Sequence, residues 1–294
     1  MPAHTRRRFL TSFALLIFSL FASAVATAAE NPSQAAAGPW LGDDGEPLPF
    51  TTAEEILDFL ENAPIVKTKK LSDGINKPLK IKLERDGIVA DAIFRSVDVE
   101  REETMKGGHP GNRHFRDSYV FEVAAFELDQ LLGLGRVPPA VLRRVEGRRG
   151  SVQLWVEKAM TEAHRLENKI APAEISSWQL QRQIMIFFDN LIYNFDRNPG
   201  NMLLGEDGKL WFVDHTRSFK QVPMLPETEK LAAVERGLYE RLEALEPAEI
   251  RERLSPYLGG LEISALLERR ELLIKHVEKL AAGRGEDVFF ELSD

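Results

Sequence analysis

The chain has no cysteine among its 294 residues. Disulfides, thiolate-bound zinc and cysteine nucleophiles are therefore excluded. It also has no excess of positive charge: 38 Lys and Arg face 46 Asp and Glu, a formal net charge of -8. Duplex-binding proteins carry the opposite sign, so nucleic acid is not expected as a partner. The six histidines form no zinc-binding spacing; His109 and His114, five apart in a glycine-rich stretch, are poor ligand candidates. There is no internal repeat, and no segment beyond the N-terminal run is long and apolar enough to span a bilayer. What remains is an ordinary globular balance, 44% hydrophobic and 29% charged, on a chain long enough for one large domain or two lobes.

Residues 1–28 read as an export signal rather than as part of the fold. Arg6-Arg7-Arg8 precedes the apolar run Phe9 to Phe21, and Ala26-Thr27-Ala28 supplies the small residues of a cleavage site. Thr5 to Leu10 also resembles a twin-arginine signal, with Thr11 in place of the usual Lys. The expectation is an exported protein, periplasmic or secreted, with no stable membrane span once the signal is removed. An uncleaved signal would instead leave a single membrane anchor.

Residues 29–50, rich in Ala, Gly, Pro and Asp, read as a linker. Thr52 is placed to cap a short helix running to about Asn62. Pro78–Glu84 and Ile88–Val97 flank Asp86-Gly87, which predicts a β-hairpin. Residues 103–116, with Gly107, Gly108, Pro110 and Gly111, read as a loop. Its backbone N–H groups, just ahead of a helix, could hold an anion, although a plain surface loop is the simpler reading. The apolar spacing from Val120 to Leu132 predicts a helix beginning at Asp117 or Ser118 and ending at Gly133. A second hairpin is expected over Ala140–Val145 and Ser151–Val156, turning at Gly147 to Gly150. From Ala173 helices dominate: one over Ser177 to Tyr193, then a short hairpin (Met202–Leu204, Leu210–Val213), then three or four amphipathic helices over 226–283.

Asp196 ends a helix, Asn201 follows five positions later in Asp-Arg-Asn-Pro-Gly-Asn, and Asp214 follows a short strand. Phosphoryl transfer wants these residue types: a carboxylate to orient the attacking hydroxyl, and hard oxygen ligands for a divalent metal that bridges nucleotide phosphates. Read by composition alone, the same stretch is also a plain turn rich in turn-forming residues.

In order and spacing these residues resemble the protein-kinase-like fold, whose catalytic loop has Asp, four residues and Asn, with the metal Asp after a short hairpin. The pattern is similar to the atypical branch, which holds the phosphatidylinositol 3-/4-kinases, the HipA-type kinases and the secretory-pathway kinases. In that branch a strand ends in Phe-Lys-Pro; here the strand Ala92 to Asp98 carries Arg95 where the family has Lys. The family's helix Glu-x-Ala-Ala-Tyr-x-Leu-Asp corresponds to Glu122 to Asp129, and its Val-Pro-Pro to Val137-Pro138-Pro139.

The resemblance implies an α+β, two-lobed protein-kinase-like fold: a small antiparallel-sheet lobe with one long helix, and a mainly helical large lobe. The expected organisation is a signal over 1–28, a linker and short helix over 29–65, the small nucleotide-binding lobe over 66–157, the large lobe over 158–288 and a tail over 289–294. The hinge would lie near Gln153–Met160. By the same resemblance Asp196 is the catalytic carboxylate, and Asn201 and Asp214 hold Mg2+ (Mn2+ is also possible). Arg95, Glu122, Gln153 and Trp155 line the ATP site, with Glu122 positioning Arg95. The expected partners are the nucleotide and a hydroxyl acceptor of unknown identity, protein favoured.

Two departures stay open at this stage. Arg95 is a planar fork where the family has a point charge, which also fits a pseudokinase serving as an extracytoplasmic binding module. No ordinary glycine-rich loop is present, and Gly74 alone is weak evidence for one. Lys80 and Lys82 read as a solvated strand face, His215 and Arg197 as structural, Trp155 and Trp211 as packing residues on strands, and Arg143, Arg144, Arg148 and Arg149 as an exposed charged hairpin.

Overall fold

A computed structural model describes residues 40–71, 78–102 and 114–292. The expected export signal, the first part of the linker, Gly74 and the glycine-rich segment around His109 lie outside the described residues. Among the described residues no helix is long and apolar enough to cross a membrane.

The first element is helix α1 (Ala53–Asn62). Thr52 caps it as the sequence predicts: the Glu55 N–H donates to the Thr52 hydroxyl at 3.3 Å, and the Glu55 carboxylate accepts from the Thr52 N–H at 3.2 Å. This reciprocal pair satisfies two otherwise orphaned donors. Ile56, Phe59 and Leu60, at helical spacing, are fully buried on one face. They meet a five-stranded antiparallel sheet of β1 (Ile65–Lys70), β2 (Leu79–Arg85), β3 (Ile88–Arg95), β6 (Ala140–Val145) and β7 (Arg148–Leu154), ordered β1-β2-β3-β7-β6.

Cross-strand register explains the sheet's two faces. Leu79, Ile81 and Leu83 lie opposite Phe94, Ala92 and Ala90, so all six enter one core. The alternate positions, Lys80 opposite Ile93 and Lys82 opposite Asp91, share the other face with Arg95. The two hairpin turns carry positive φ at both central residues, Asp86-Gly87 at 54° and 79° and Glu146-Gly147 at 51° and 80°. That matches the twist of two-residue hairpins. The second turn is thus Glu146-Gly147, not Gly147 to Gly150. Gly150 instead sits within β7, where a Cβ would lie 2.2 Å from the Arg95 carbonyl oxygen and 2.3 Å from the Phe94 ring. Only glycine lets β7 approach β3 this closely.

Between β3 and helix α2 (Val120–Leu131) runs a hairpin of β4 (Asp98–Glu102) with β5 (His114–Ser118), and β5 occupies residues expected to be loop and helix start. Asp117 and Ser118 belong to β5. Tertiary bonds hold them extended: the Ser118 N–H donates to the Thr216 carbonyl at 2.8 Å, and the Tyr119 N–H to the Val97 carbonyl at 2.9 Å. Helix α2 is buried over Phe121 to Gln130, as expected of a helix wedged between two lobes. In its last turn, Asp129 accepts the N–H groups of Gly135, Arg136 and Val137 at 3.0, 2.8 and 2.9 Å and so shapes the turn into Val137-Pro138-Pro139.

The second lobe begins with β8 (Ala159–Thr161), which joins β9 (Met202–Gly205) and β10 (Leu210–Phe212) in a three-stranded antiparallel sheet. Helices α3 (Glu162–Glu167), α4 (Ile175–Ile192), α5 (Arg236–Ala244), α6 (Pro247–Leu254) and α7 (Gly260–Arg284) complete it. Residues 226–235 hold no α-helix, only a single 3-10 turn over Thr228–Lys230. Gln183 and Asn190 on α4 accept the N–H groups of Ala232 and Glu227 at 2.7 and 3.0 Å, which ties both ends of that turn to α4. The stretch ends in β11 (Val234–Glu235), paired in parallel with β12 (Phe289–Phe290), so the expected tail is partly woven into the fold.

The linker reading fails for its described part. Trp40 and Leu48 are buried, and the Trp40 ring lies 4.6 Å from that of Trp211 on β10. Asp43 pairs with Lys82 on β2, and the Lys158 ammonium donates to the Gly45 carbonyl at 2.9 Å. Residues 40–48 thus strap the sheet lobe to the helical lobe. Two tests follow from this packing. Trp40→Ala should cost about 3–5 kcal/mol in urea unfolding, the usual loss for a buried aromatic; a true linker residue would cost almost nothing. Burial pushes the Asp129 carboxyl up to about 6, against the pull of its three N–H donors. A raised folded pKa gives stability that is present below about pH 4 and lost as pH rises through 6, here about 3 kcal/mol at most. Unfolding of wild type and Asp129→Asn from pH 4 to 7 should show that difference shrinking in wild type as pH rises.

Candidate functional site

The cleft between the lobes is about 680 Å³. Leu71, Pro78 and Ile93 line it from the sheet lobe, Leu203 and Val213 from the other lobe, and Gln153 to Val156 along the connecting strand. At its polar end Arg95, Asp196, Asn201, Asp214, Thr216 and Arg217 converge. Six of the seven residues proposed from sequence (Arg95, Gln153, Trp155, Asp196, Asn201 and Asp214) line this one cavity. The seventh, Glu122, stands directly behind Arg95.

Glu122 is completely buried on α2. Its Oε1 lies 3.6 Å from Arg95 Nε and accepts the His215 N–H at 3.0 Å, while its Oε2 lies 3.3 Å from His215 Nδ1. Burial alone would push this carboxyl up. Arg95, the His215 ring and the His215 N–H outweigh it and hold the carboxyl below its ordinary value. Glu122 therefore stays ionised, and it joins the strand carrying Arg95 to the segment carrying Asp214. Gln153 has the companion role. Its Oε1 accepts from Arg95 Nη1 at 3.4 Å and its amide donates to the Pro138 carbonyl at 3.3 Å, so it orients Arg95.

Trp155 lines the cleft with the Lys80 ammonium 4.2 Å from its ring centroid. Lys80 and Lys82 share the sheet face of Arg95, but they are tied to Asp91 at 2.8 and 3.2 Å rather than solvated. His215 is fully buried against Glu122 and edge-on to Phe188, a positioning residue rather than a substrate contact. The Arg143 guanidinium donates to the carbonyls of Leu60 and Ala63 at the end of α1, so it caps a helix instead of joining a surface patch.

The loop bearing Asp196 and Asn201 is set from behind by Arg197. This side chain meets Asp189 on α4 through two bonds of 2.9 Å, and its Nη1 donates to the carbonyls of Asn201 and Val213 at 2.7 Å. One buried fork thus fixes the segments carrying Asn201 and Val213 relative to the helix. The structural reading of Arg197 holds, with Asp189 rather than Asp196 as its partner. Asp189 was missed. Its signal was a carboxylate inside the apolar run Ile184 to Ile192, a placement that demands a partner. Asp214 takes φ 61°, the left-handed region that aspartate tolerates better than most residues. Its Oδ1 accepts from the Thr216 hydroxyl at 3.2 Å. Arg217, also missed, bonds Asp196 Oδ2 at 2.9 Å and Asp117 Oδ2 at 3.0 Å.

Among the described residues no three His, Asp or Glu side chains converge as a self-sufficient metal site. The donors present are carboxylates and one amide, the hard oxygens that suit Mg2+ or Mn2+ when phosphates complete the shell.

A protein-family model described as Golgi casein kinase, C-terminal, Fam20 matches residues 49–163. That stretch holds Arg95, Glu122, Gln153 and Trp155 and stops short of Asp196. No curated protein sequence matches the chain. Among solved structures, hydra Fam20 with sugar superposes with a TM-score of 0.62 at 18% identity, covering 88% of this chain and 97% of that one. The Golgi casein kinase gives 0.60 at 16% identity, covering 82% and 79%. The same kinase with Mn/ADP bound gives 0.59 at 16%, covering 81% and 78%. The chain therefore has the atypical, two-lobed protein-kinase-like fold.

Breaking a buried ion pair costs about 3–5 kcal/mol because a charge is left alone. Arg197→Met should lose that much in chemical denaturation, and Asp189→Asn in the same background should recover part of it. Strict additivity of the two losses would refute the pairing as the anchor of the loop.

Proposed function

We propose that the chain is an exported phosphotransferase that moves the γ-phosphate of ATP to a hydroxyl of an acceptor, with protein the favoured class. The observation that carries this is the meeting of Asp196, Asn201 and Asp214 with the Arg95–Glu122 pair at one end of the interlobe cleft. The family-model match over the sheet lobe and the Mn/ADP-bound neighbour support the same reading. The signal pattern of residues 1–28 supports export to the periplasm or beyond, and the lobe boundary is proposed near residue 158.

In this reading the adenine lies against Ile93, Leu203 and the strand Gln153 to Val156. Arg95, held by Glu122 and Gln153, grips the phosphates. Asp214 and Asn201 hold Mg2+ or Mn2+, which would screen charge on the transferring group. Asp196 orients the acceptor hydroxyl and takes its proton as the acceptor oxygen bonds to the γ-phosphorus. The bond from that phosphorus to the β,γ-bridging oxygen breaks, and its electron pair stays on ADP. Most of the acceleration is positioning and charge stabilisation.

Arg95 in place of lysine favours one rival, a pseudokinase that holds nucleotide without transferring phosphate. The first test is the melting temperature of residues 29–294 with Mg2+-ATP or Mn2+-ATP, beside Asp214→Ala. Ligand at a hundred times its dissociation constant stabilises by about 2.7 kcal/mol, several degrees for a domain of this size. The expected result is a metal-dependent rise that Asp214→Ala abolishes. No rise at millimolar nucleotide, with the protein folded, would overturn the assignment. Binding without transfer to any hydroxyl acceptor or water would select the pseudokinase.

A further inference from the structure

We propose that Arg217 reads the terminal phosphate of the bound nucleotide, transferring one end of its guanidinium from Asp196 to that phosphate. The inference rests on the phosphotransferase reading above and adds a residue that neither its motif nor its spacing singles out.

The two ends of Arg217 are held unequally. Nε bonds Asp117, which is 3% exposed at the base of α2, whereas Nη1 bonds Asp196, whose side chain is 39% exposed in the cleft. An ion pair to a buried carboxylate is costly to break, and a solvated one is worth little. The Nε end is therefore an anchor and the Nη1 end is free to change partner. The Phe115 ring, 5.6 Å from the guanidinium carbon, and the Ser118 N–H bond to the Thr216 carbonyl hold the side chain beside the cleft.

The position of the exchange follows from the chemistry of transfer. The γ-phosphorus must lie between the metal ligands Asp214 and Asn201 and the hydroxyl oriented by Asp196. Arg217 Nη1 already stands against Asp196, on the acceptor side of that point. A terminal phosphate offers more charge and more acceptor oxygens than one carboxylate, and a planar guanidinium matches it well. Moving Nη1 to the phosphate also releases Asp196 Oδ2 for the acceptor proton. ADP lacks the γ-phosphate, so it would leave Arg217 on Asp196.

The test is calorimetric affinity for ADP and for the β,γ-imido analogue of ATP, both with saturating Mn2+, on residues 29–294. Arg217→Met and Arg217→Lys are compared with wild type, and every variant is first shown to be folded at the assay temperature by a cooperative unfolding transition that lies above it, since loss of the Asp117 pair will lower that transition. Wild type should prefer the triphosphate. Arg217→Met should lose about tenfold or more in triphosphate affinity with ADP altered less than about threefold, and Arg217→Lys, which cannot span both carboxylates, should fall between. Repeating the pair in an Asp196→Asn background separates direct contact from mere screening of Asp196. Persistence of the selective loss there supports the proposal. An unchanged triphosphate-to-diphosphate ratio, or a loss that vanishes in the Asp196→Asn background, overturns it. Failure of wild type to bind either nucleotide would instead refute the phosphotransferase reading, and this proposal with it.

Discussion

Glu122 is a carboxylate with no exposure to water, and the contacts that keep it ionised also tie Arg95 to the segment after β10. A lone carboxylate in that position would take up a proton or displace the helix. It is instead met by Arg95 from β3 and by the backbone and ring of His215 from the segment after β10. Together with Glu122 on α2, these partners bring three separate parts of the chain to one point. Satisfying one buried charge therefore sets the positions of Arg95 and of the segment carrying Asp214 together. The polar end of the cleft is thus held in place by the protein's own charges.

The same economy recurs on the other side of the cleft. Arg197, paired with Asp189, holds the carbonyls of both Asn201 and Val213, so one guanidinium sets two strands of the loop. Arg217 bridges Asp117 at the base of α2 to Asp196. The stretch from Val213 to Arg217 thus receives bonds from β5, from α2 and from the loop bearing Asp196. The strap that sets Trp40 against Trp211 is a further tie between the two lobes.

Arginine at position 95 is geometrically at home. Its fork meets Glu122 with one edge and Gln153 with another, and Gln153 is itself tied to the Pro138 carbonyl. A lysine could not make both contacts with separate nitrogens. Gln153 and Arg95 are matched to one another, so arginine in place of lysine has a consistent local setting.

How much of this was legible in the chain depends on the range of the interaction. Local chemistry was readable. Thr52 and Glu55 announced a capping box, Asp86-Gly87 a hairpin, and the spacing of Val120 to Leu132 a helix, because each is settled within a few residues of backbone. The order Arg95, Glu122, Asp196, Asn201, Asp214 pointed to one cleft. Other features could be settled only by the tertiary structure. Residues 114–118 became a strand because Thr216 and Val97 bond its end, and 226–235 formed a 3-10 turn and a short strand rather than an α-helix because Gln183 and Asn190 reach across from α4. Trp40 became core because Trp211 offered a partner. Asp189 and Arg217 gained their roles from charges far along the chain. The sequence by itself determined which polar residues of the expected motif come in which order, and six of the seven it pointed to line one cleft. Only the tertiary structure decided which charges meet, since the partner of a buried charge is chosen by proximity in space and by the cost of leaving it alone, neither of which is written in local pattern.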